Sequence, residues 1–401
     1  MKRANSLRHP LRKAGLMTRF RFLTAGESHG RGMLATIEGV PAGLTLTEDD
    51  IASDLKRRQV GHGRSQRMRL EQDRAEVLSG VRYGVTIGSP IALLIWNRDW
   101  ENWVEVMSVS ASDRPAAPLT QPRPGHADLA GATKYGLSDI RPILERSSAR
   151  ETAARVAVGA VARVFLSQFG VAVHSRTLAI GGHWARRSEV GDWAMVEASP
   201  VRCDDPEAEK AMISAIDEAA ARGDTLGGVF EVVADGVPVG LGSHVHWDRR
   251  LDGRIAQAMV SINSVKGVEI GPAFRMADSI GSQVHDPIEP SDTAPYWWKR
   301  GSNQAGGIEG GTSNGQPVVV RAAVKPVPTL RHPLGSVDIS TREVVQAHFE
   351  RSDVCIVPAA GVIGEAMLAI VLADAMLEKF GGDNLSETLR NYRGYLESIQ
   401  G

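Results

Sequence analysis

Residues 359–380 read AAGVIGEAMLAIVLADAMLEKF, an apolar stretch with small residues on every side of the helix that it would form. A helix that is apolar all round is buried in a protein core or lies in a membrane. The wider run 354–377 contains a proline, Glu365 and Asp374, so it lacks the roughly 18 uncharged apolar residues of a membrane span. We therefore predict a buried core helix here and no membrane span.

A second long helix is predicted over residues 148–169, which are rich in alanine and valine and are followed by Gly170. Thr47 is a typical N-cap for a third helix, because acidic residues follow it in the first turn. The remaining predicted elements are helices at 206–222 and 249–264, strands at 20–26, 34–39 and 317–324, antiparallel strands within 67–95, and a strand pair over 227–239 that turns at Asp235-Gly236.

Two segments of the chain are similar to each other. Residues 38–44 read EGVPAGL and residues 235–241 read DGVPVGL, and each follows a predicted strand and precedes a predicted helix. A duplicated strand–turn–helix unit and a common Gly-Val-Pro turn that arose twice explain this equally well.

Composition narrows the class of protein. Lys and Arg number 46, Asp and Glu number 47, and the net charge is −1, whereas a dedicated nucleic-acid-binding domain is usually basic. Cys203 and Cys355 are far apart, so we predict neither a disulfide framework nor a metal site, which fits a reducing cytosol. Residues 1–16 lack the apolar stretch of a signal peptide and are interpreted as a disordered leader. No linker divides the rest, so we predict one domain over residues 17–401.

Two short turns each present a histidine. Residues 26–30 read GESHG and residues 123–128 read RPGHAD. The glycines allow the backbone to come close to a ligand, and histidine can exchange a proton near neutral pH. Each turn taken alone is equally compatible with an ordinary polar turn.

Arginine is concentrated in two further segments. Residues 57–69 read RRQVGHGRSQRMR, with glycines between the arginines, and residues 145–151 read ERSSARE where the alanine-rich helix begins. Guanidinium groups bind phosphate and carboxylate through two parallel hydrogen bonds, and free amides at a helix N-terminus also bind anions. A solvated basic turn and an N-cap with surface ion pairs are the simpler alternatives.

The last segments are a glycine-rich loop at 303–317, the sequence KPVPT at 325–329 and Arg351-Ser352-Asp353 before the core helix. The loop differs from the dinucleotide-binding fingerprint, and it is suited to lying against a flat ring. Together the segments predict a site for a small ligand that carries several negative charges. A nucleotide kinase is excluded because no Walker A sequence is present.

In this order, the segments resemble the chorismate synthase family over residues 17–390. The matching stretches are 25–30, 57–69, 123–128, 145–159, 224–242, 306–317, 325–329 and 351–361. The resemblance implies an α+β fold with a sandwich of antiparallel β-sheets around a layer of long helices. It implies a cytosolic homotetrameric lyase of the shikimate pathway, which eliminates phosphate from 5-enolpyruvylshikimate 3-phosphate in an anti 1,4-elimination. The family uses reduced FMN without net redox change and is associated with NADP. This chain would depend on an external flavin reductase.

The resemblance also assigns roles to individual residues. It places His29 at the leaving phosphate and His126 beside the flavin, with Asp353, Ser28 and Ser147 assisting. The implied substrate-binding residues are Arg58, Arg64, Arg67, Arg123, Arg150 and Arg351. The implied FMN-binding residues are Arg146, Ser147, Ser148, Asn263, Ser264, Gly310, Lys325, Pro326, Val327, Pro328, Thr329 and Arg351.

Two alternatives belong to other classes of function. Another flavin-binding lyase or isomerase acting on a phosphorylated acid would need a similar set of residues. A non-enzymatic anion- or RNA-binding protein could use residues 57–69, the arginine loop, although no stacking aromatic residues lie among the arginines. Steep salt dependence of RNA binding would distinguish that second alternative.

Overall fold

The computed structural model describes residues 19–65, 70–186, 191–292 and 296–400, so the predicted leader 1–16 lies outside the described residues. The helices are α1 Glu48–Gln59, α2 Asp128–Tyr135, α3 Arg141–Ser147, α4 Thr152–Ser167, α5 Trp193–Ala198, α6 Pro206–Arg222, α7 Leu251–Val260, α8 Ala273–Ala277, α9 Gly281–Val284, α10 Val357–Phe380 and α11 Leu385–Ile399. The strands are β1 Arg21–Ala25, β2 Gly32–Glu38, β3 Ala75–Ser79, β4 Val81–Arg82, β5 Val85–Thr86, β6 Ile91–Trp96, β7 Ala172–Ile180, β8 His183–Trp184, β9 Gly228–Asp235, β10 Val265–Ile270, β11 Ile288–Pro290, β12 Trp298–Arg300, β13 Ile308–Glu309, β14 Thr312–Ser313, β15 Val318–Val324, β16 Gly335–Val337 and β17 Val344–Gln346.

Most of the strands form two antiparallel sheets. The first has four strands in the order β1-β2-β6-β3, and the second has five in the order β10-β15-β9-β7-β8. Apolar residues alternate along the paired strands, as the register of β2 against β6 shows at Ile37 and Ile91, which are both fully buried. Each sheet therefore presents one apolar face to the helices.

Two helices, α4 and α10, pack against each other in the core. They come close together at Gly159 of α4, where an added Cβ would lie 2.2 Å from the Cβ of Ala366. Helix α10 also packs closely against the second sheet. Its Gly364 lies against the ring of Phe230 in β9, and a Cβ added at Gly364 would lie 2.7 Å from that ring. Helix α4 also contacts β2 and β6, and α10 contacts β7 and β9. Glycine is thus required where backbone and ring surfaces meet directly.

The predicted core helix is confirmed and extends over Val357–Phe380. By length and composition alone it could cross a membrane, but its most apolar window is entirely buried inside the described part of the protein. Burial on all sides explains why its sequence shows no polar face.

Several other predicted elements are confirmed. Thr47 caps α1 in a capping box with Asp50, and α6 spans Pro206–Arg222 as predicted. The strand pair predicted over 227–239 is wrong: β9 is one strand that ends at Asp235 and pairs with β7 and β15. The chain bends at Gly236, directly after β9, and the strands that pair with β9 come from distant parts of the chain.

The two similar segments 38–44 and 235–241 occupy comparable places. Each follows a sheet strand, β2 or β9, and both pairs of glycines in them have positive φ angles. The first turn exchanges backbone hydrogen bonds with residues 383–385, and the hydroxyl of Tyr395 donates to the carbonyl of Val239 in the second. Both turns therefore contact residues in or next to α11.

Candidate active site

Arg58 and Arg150 share one buried carboxylate, that of Asp73. Arg58 donates to Asp73 Oδ2 at 2.7 Å and Arg150 donates to Oδ1 at 2.5 Å. Arg150 also donates to the side chain of Asn97 at 2.8 Å. All of these side chains are buried, so the ion pairs orient the two guanidinium groups firmly.

Arg64 lies beside them and binds the segment that precedes α10. It donates to Asp353 Oδ2 at 2.7 Å, and the amide of Ser65 donates to Oδ1 of the same carboxylate at 2.6 Å. The amide of Val354 donates to the carbonyl of Gly63 at 2.9 Å. The arginine loop after α1 is thus attached to residues 353–354, which are distant in sequence.

Several donors in this cluster have no hydrogen-bond partner among the described residues. They are the Nε atoms of Arg58 and Arg64 and the amide nitrogen of Gln59, all buried. Burial lowers the pKa of Arg58, and the charge of Asp73 opposes this effect. A cavity of about 660 Å³ that Arg64, Gln59 and Asp73 help to line opens here. Unpaired buried donors beside a cavity fit an anionic ligand, since leaving such a group unsatisfied is costly.

His29 lies in the first histidine turn and is 7% exposed. Its Nδ1 is 2.9 Å from Oε1 and 3.0 Å from Oε2 of Glu145, and its backbone amide donates to Oε2 at 2.8 Å. The ring stacks on Trp103 with 3.9 Å between the ring centroids. Ser148 donates to the hydroxyl of Ser28 at 3.1 Å, which brings the 145–151 segment against this turn.

His126 forms a second pair with a carboxylate. Its Nδ1 is 2.5 Å from Oδ1 of Asp128, and Arg123 donates to Oδ2 at 2.9 Å. Burial alone would raise the pKa of Asp128, but hydrogen bonds from His126 and Arg123 hold it well below its ordinary range. Arg123 also donates to the hydroxyl of Thr329 at 3.0 Å, so the KPVPT segment lies next to this turn.

Polar contacts join the two histidine turns. Arg141 donates to Glu350 at 2.8 Å and to Glu145 at 3.4 Å. Burial raises the pKa of Glu350, but the hydrogen bond from His348 and the charges of Arg123 and Arg141 outweigh it and lower the pKa to about 2. Glu350 therefore lies between the arginines that accompany each histidine.

The first histidine turn is also joined to the arginine cluster. Asn97, which binds Arg150, donates through its amide to the carbonyls of Glu27 and Gly30 at 3.0 and 2.7 Å. On the opposite side, Ser352 donates to the carbonyl of Thr329 at 2.8 Å. One connected polar region thus contains both histidines and the arginines at 58, 64, 123 and 150.

Several of the residues predicted to bind FMN lie around the second turn. Lys325 donates to the carbonyl of Gly125 at 2.7 Å, and its amide donates to the carbonyl of Ser264 at 2.9 Å. Asn263 donates to the carbonyl of Ser147 at 2.9 Å. The hydroxyl of Ser147 donates to Ile143 within its own helix, so it is already engaged. The segment 325–329 thus contacts the second turn at both of its ends, through Lys325 and Thr329.

Four predicted residues remain. Arg146 contacts the start of the first histidine turn, where it donates to the carbonyls of Thr24 and Gly26 at 3.0 Å each. Gly310 lies between β13 and β14, and an added Cβ would meet only His244, at 4.0 Å. Arg351 is exposed. Arg67 lies outside the described residues.

The sequence analysis missed the residues that hold the predicted ones in place. Asp73, Asn97 and Trp103 were not singled out, because isolated polar or aromatic residues carry no pattern. Glu145 and Asp128 stood inside the quoted motifs without an assigned role. The pairing of Glu145 with His29 spans 116 residues, so it can be recognised only when the distance between distant segments is known.

Comparisons with known proteins agree on one family. The family model described as "Chorismate synthase" matches residues 20–377. Among curated relatives named chorismate synthase, that of Solibacter usitatus is 55% identical over 390 residues, covering 95% of this chain and 99% of the relative. That of Moorella thermoacetica is 56% identical over 385 residues, covering 94% and 100%.

A solved structure gives the same result at the level of the fold. A crystal structure of chorismate synthase superposes with a TM-score of 0.77 at 45% identity, covering 95% of this chain and 98% of that chain. The chain belongs to the chorismate synthase family, the lyases that eliminate phosphate from 5-enolpyruvylshikimate 3-phosphate to give chorismate.

Proposed function

We propose that the connected polar region carries out this elimination, with reduced FMN as its cofactor. The observation that supports the proposal best is the pair of arginines, Arg58 and Arg64, whose buried Nε donors lack partners among the described residues. Arg64 also lines the cavity. The substrate carries a phosphate and two carboxylates. Burying such charges costs several kcal/mol per ion unless they are paired, and these donors supply pairing.

His29 would act as the acid for the leaving phosphate. Its Nδ1 is bound to Glu145, so Nε2 is the ring nitrogen that would give a proton to a phosphate oxygen. The C–O bond breaks with its electron pair on that oxygen, and protonation makes phosphate a better leaving group. Asp353 accepts a hydrogen bond from Arg64, so its carboxylate belongs to the same polar region.

FMN fits the residues around Lys325. Burial lowers the pKa of Lys325, and the neighbouring charge of Lys266 lowers it further. Two adjacent ammonium groups favour an anion such as the FMN phosphate beside them. Asn263, Ser264 and the segment 325–329 would hold the cofactor next to His126. When bound, reduced flavin would supply electron density to the substrate, which is the part of the chemistry that side chains cannot provide.

The remaining features of the proposal concern assembly and supply. We expect a cytosolic homotetramer and an external flavin reductase that provides reduced FMN. We also expect one domain over 17–401, in which the two antiparallel sheets enclose α4 and α10 as a sandwich. The contacts of α4 with the first sheet and of α10 with the second support that arrangement.

The proposed use of FMN predicts a specific requirement. Phosphate release should need both FMN and a reductant, yet consume no stoichiometric reductant, since the elimination changes no net oxidation state. The measurement is an anaerobic assay of phosphate release with photoreduced FMN, oxidised FMN or no flavin. Release at full rate without reduced flavin would exclude the cofactor assignment.

Arg64→Lys should weaken substrate binding on the order of tenfold, because a lysine cannot reproduce the guanidinium fork and a hydrogen bond to a charged group is worth roughly 1.5–3 kcal/mol. Arg64 uses different nitrogens for Asp353 and for the carbonyl of Arg58. Calorimetric titration with substrate in the presence of oxidised FMN measures the effect. FMN affinity should change much less.

The control for this substitution is Arg222→Lys, at an exposed arginine whose ion pair with Glu218 spans 3.8 Å. It should leave substrate affinity unchanged. Equal affinities for the parent and the Arg64→Lys protein would remove Arg64 from the binding site. An RNA-binding role would predict the same insensitivity, since lysine also contacts phosphate.

A further inference from the structure

Glu145 contacts the first histidine turn in three ways. Its carboxylate accepts from the backbone amide of His29 at 2.8 Å and lies 2.9 and 3.0 Å from Nδ1 of the same residue. Its backbone carbonyl accepts from the amide of Ser28 at 3.2 Å. The Glu145 side chain is 0% exposed and that of His29 is 9% exposed. These contacts fix the turn relative to α3 across 116 residues of sequence.

The surroundings restrict the imidazole further. Trp103 stacks on one face of the ring, with the two planes inclined by 22°. Arg141 lies over Trp103 at 5.4 Å from the ring centroid and also donates to Glu145. Trp103 therefore restrains one face of the His29 ring, and Glu145 restrains the edge that carries Nδ1.

An ionised carboxylate only accepts hydrogen bonds. Beside Glu145, Nδ1 of His29 must therefore carry the proton, and the neutral ring must be the tautomer whose Nε2 is an acceptor. The charged ring has a proton on both nitrogens. A histidine fixed in this way can release a proton only from Nε2.

We propose that Glu145 is a positioning residue that fixes the tautomer and orientation of His29 for proton donation from Nε2. The inference rests on the proposed function of His29. In the step itself, Nε2 gives its proton to the phosphate oxygen while the C–O electron pair moves to that oxygen. The imidazole that remains is neutral. It keeps the proton on Nδ1, which donates a hydrogen bond to Glu145.

The first measurement needs no substitution. Nitrogen-15 NMR of the histidine side chains, with His29 assigned by comparison with His29→Gln, should show the Nδ1-protonated tautomer when the ring is neutral. The opposite tautomer in the parent protein would overturn the proposal directly. The NMR result does not depend on catalytic activity. A failure of the proposed function would be seen separately, as the absence of phosphate release by the parent protein.

The second measurement uses Glu145→Gln, which keeps the size of the side chain but can donate to Nδ1 as well as accept. We expect the single tautomer signal of His29 to become a mixture. Turnover should fall on the order of 100-fold with KM within about threefold, because general acid catalysis by a positioned group contributes about 10²–10⁴-fold. A rise in KM with unchanged turnover would mean that Glu145 serves binding or structure only.

Two further variants complete the experiment. Glu145→Asp keeps the charge and should recover part of the lost turnover and the single tautomer, and it is the variant to use if Glu145→Gln does not fold. Asp248→Asn is the matched control, since Asp248 binds Nδ1 of the exposed His246 at 2.7 Å. It should change neither the His29 signals nor the turnover. The proposal would be overturned if Asp248→Asn and Glu145→Gln changed the His29 signals and the turnover equally.

Discussion

Replacing His29 by alanine should lower turnover by about 10²–10⁴-fold, the usual contribution of a general acid, while substrate affinity changes little. The reason is geometric: His29 is buried in a glycine-flanked turn, and its Nδ1 is bound by Glu145. Its function would therefore be proton donation. Single-turnover measurement of phosphate release, together with calorimetric titration of substrate, separates the two effects.

The control is His246→Ala, at a histidine that also pairs with a carboxylate but has a side chain 60% exposed. This variant should behave like the parent. If His29→Ala stays within twofold of the parent in turnover, His29 has no part in the reaction. If substrate affinity falls by the same factor as turnover, His29 binds substrate without acting as an acid.

Glu365→Ala should destabilise the fold by about 3–5 kcal/mol, the cost typical of removing one partner from a buried ion pair. Glu365 is fully buried in α10. It accepts from Arg57 at 2.7 and 2.8 Å and from Ser175 at 2.7 Å, and it lies 3.2 Å from both Arg163 and Arg202. Without it, Arg57, Arg163 and Arg202 would lose the buried carboxylate that they share. The free energy of unfolding from urea denaturation at a fixed protein concentration measures the effect.

A control on the same helix is Glu378→Ala. The Glu378 side chain is 35% exposed and binds Arg249 and Arg254, so its loss should cost about 1 kcal/mol or less. Similar losses for Glu365→Ala and Glu378→Ala would contradict the importance of the buried cluster.

The same cluster predicts a dependence on pH. Burial raises the pKa of Glu365, but the charges of the surrounding arginines outweigh it and lower the pKa below its ordinary value of 4.5. A lowered folded-state pKa gives stability that is present above the unfolded-state pKa and is lost as the pH falls through the folded-state value. Below pH 4.5, the parent should therefore lose more stability than the Glu365→Ala protein.

The sequence by itself determined the features that depend on local pattern. Helix α6, the N-cap at Thr47 and the core helix were each predictable, because side-chain periodicity and capping act within a few residues. The histidine turns and the arginine loop were also recognisable, since glycine and proline limit the backbone locally. Their family resemblance supplied the reaction.

Only the tertiary structure decided which residues hold that chemistry in place. Glu145 is 116 residues from His29, and Asp353 is 289 residues from Arg64, so no local pattern joins them. The strand pair predicted over 227–239 failed for the same reason, because β9 takes its partners from distant segments. Pairing between distant groups depends on how α4 and α10 pack against each other and against the strands of the two sheets, and those contacts join segments that are distant in sequence.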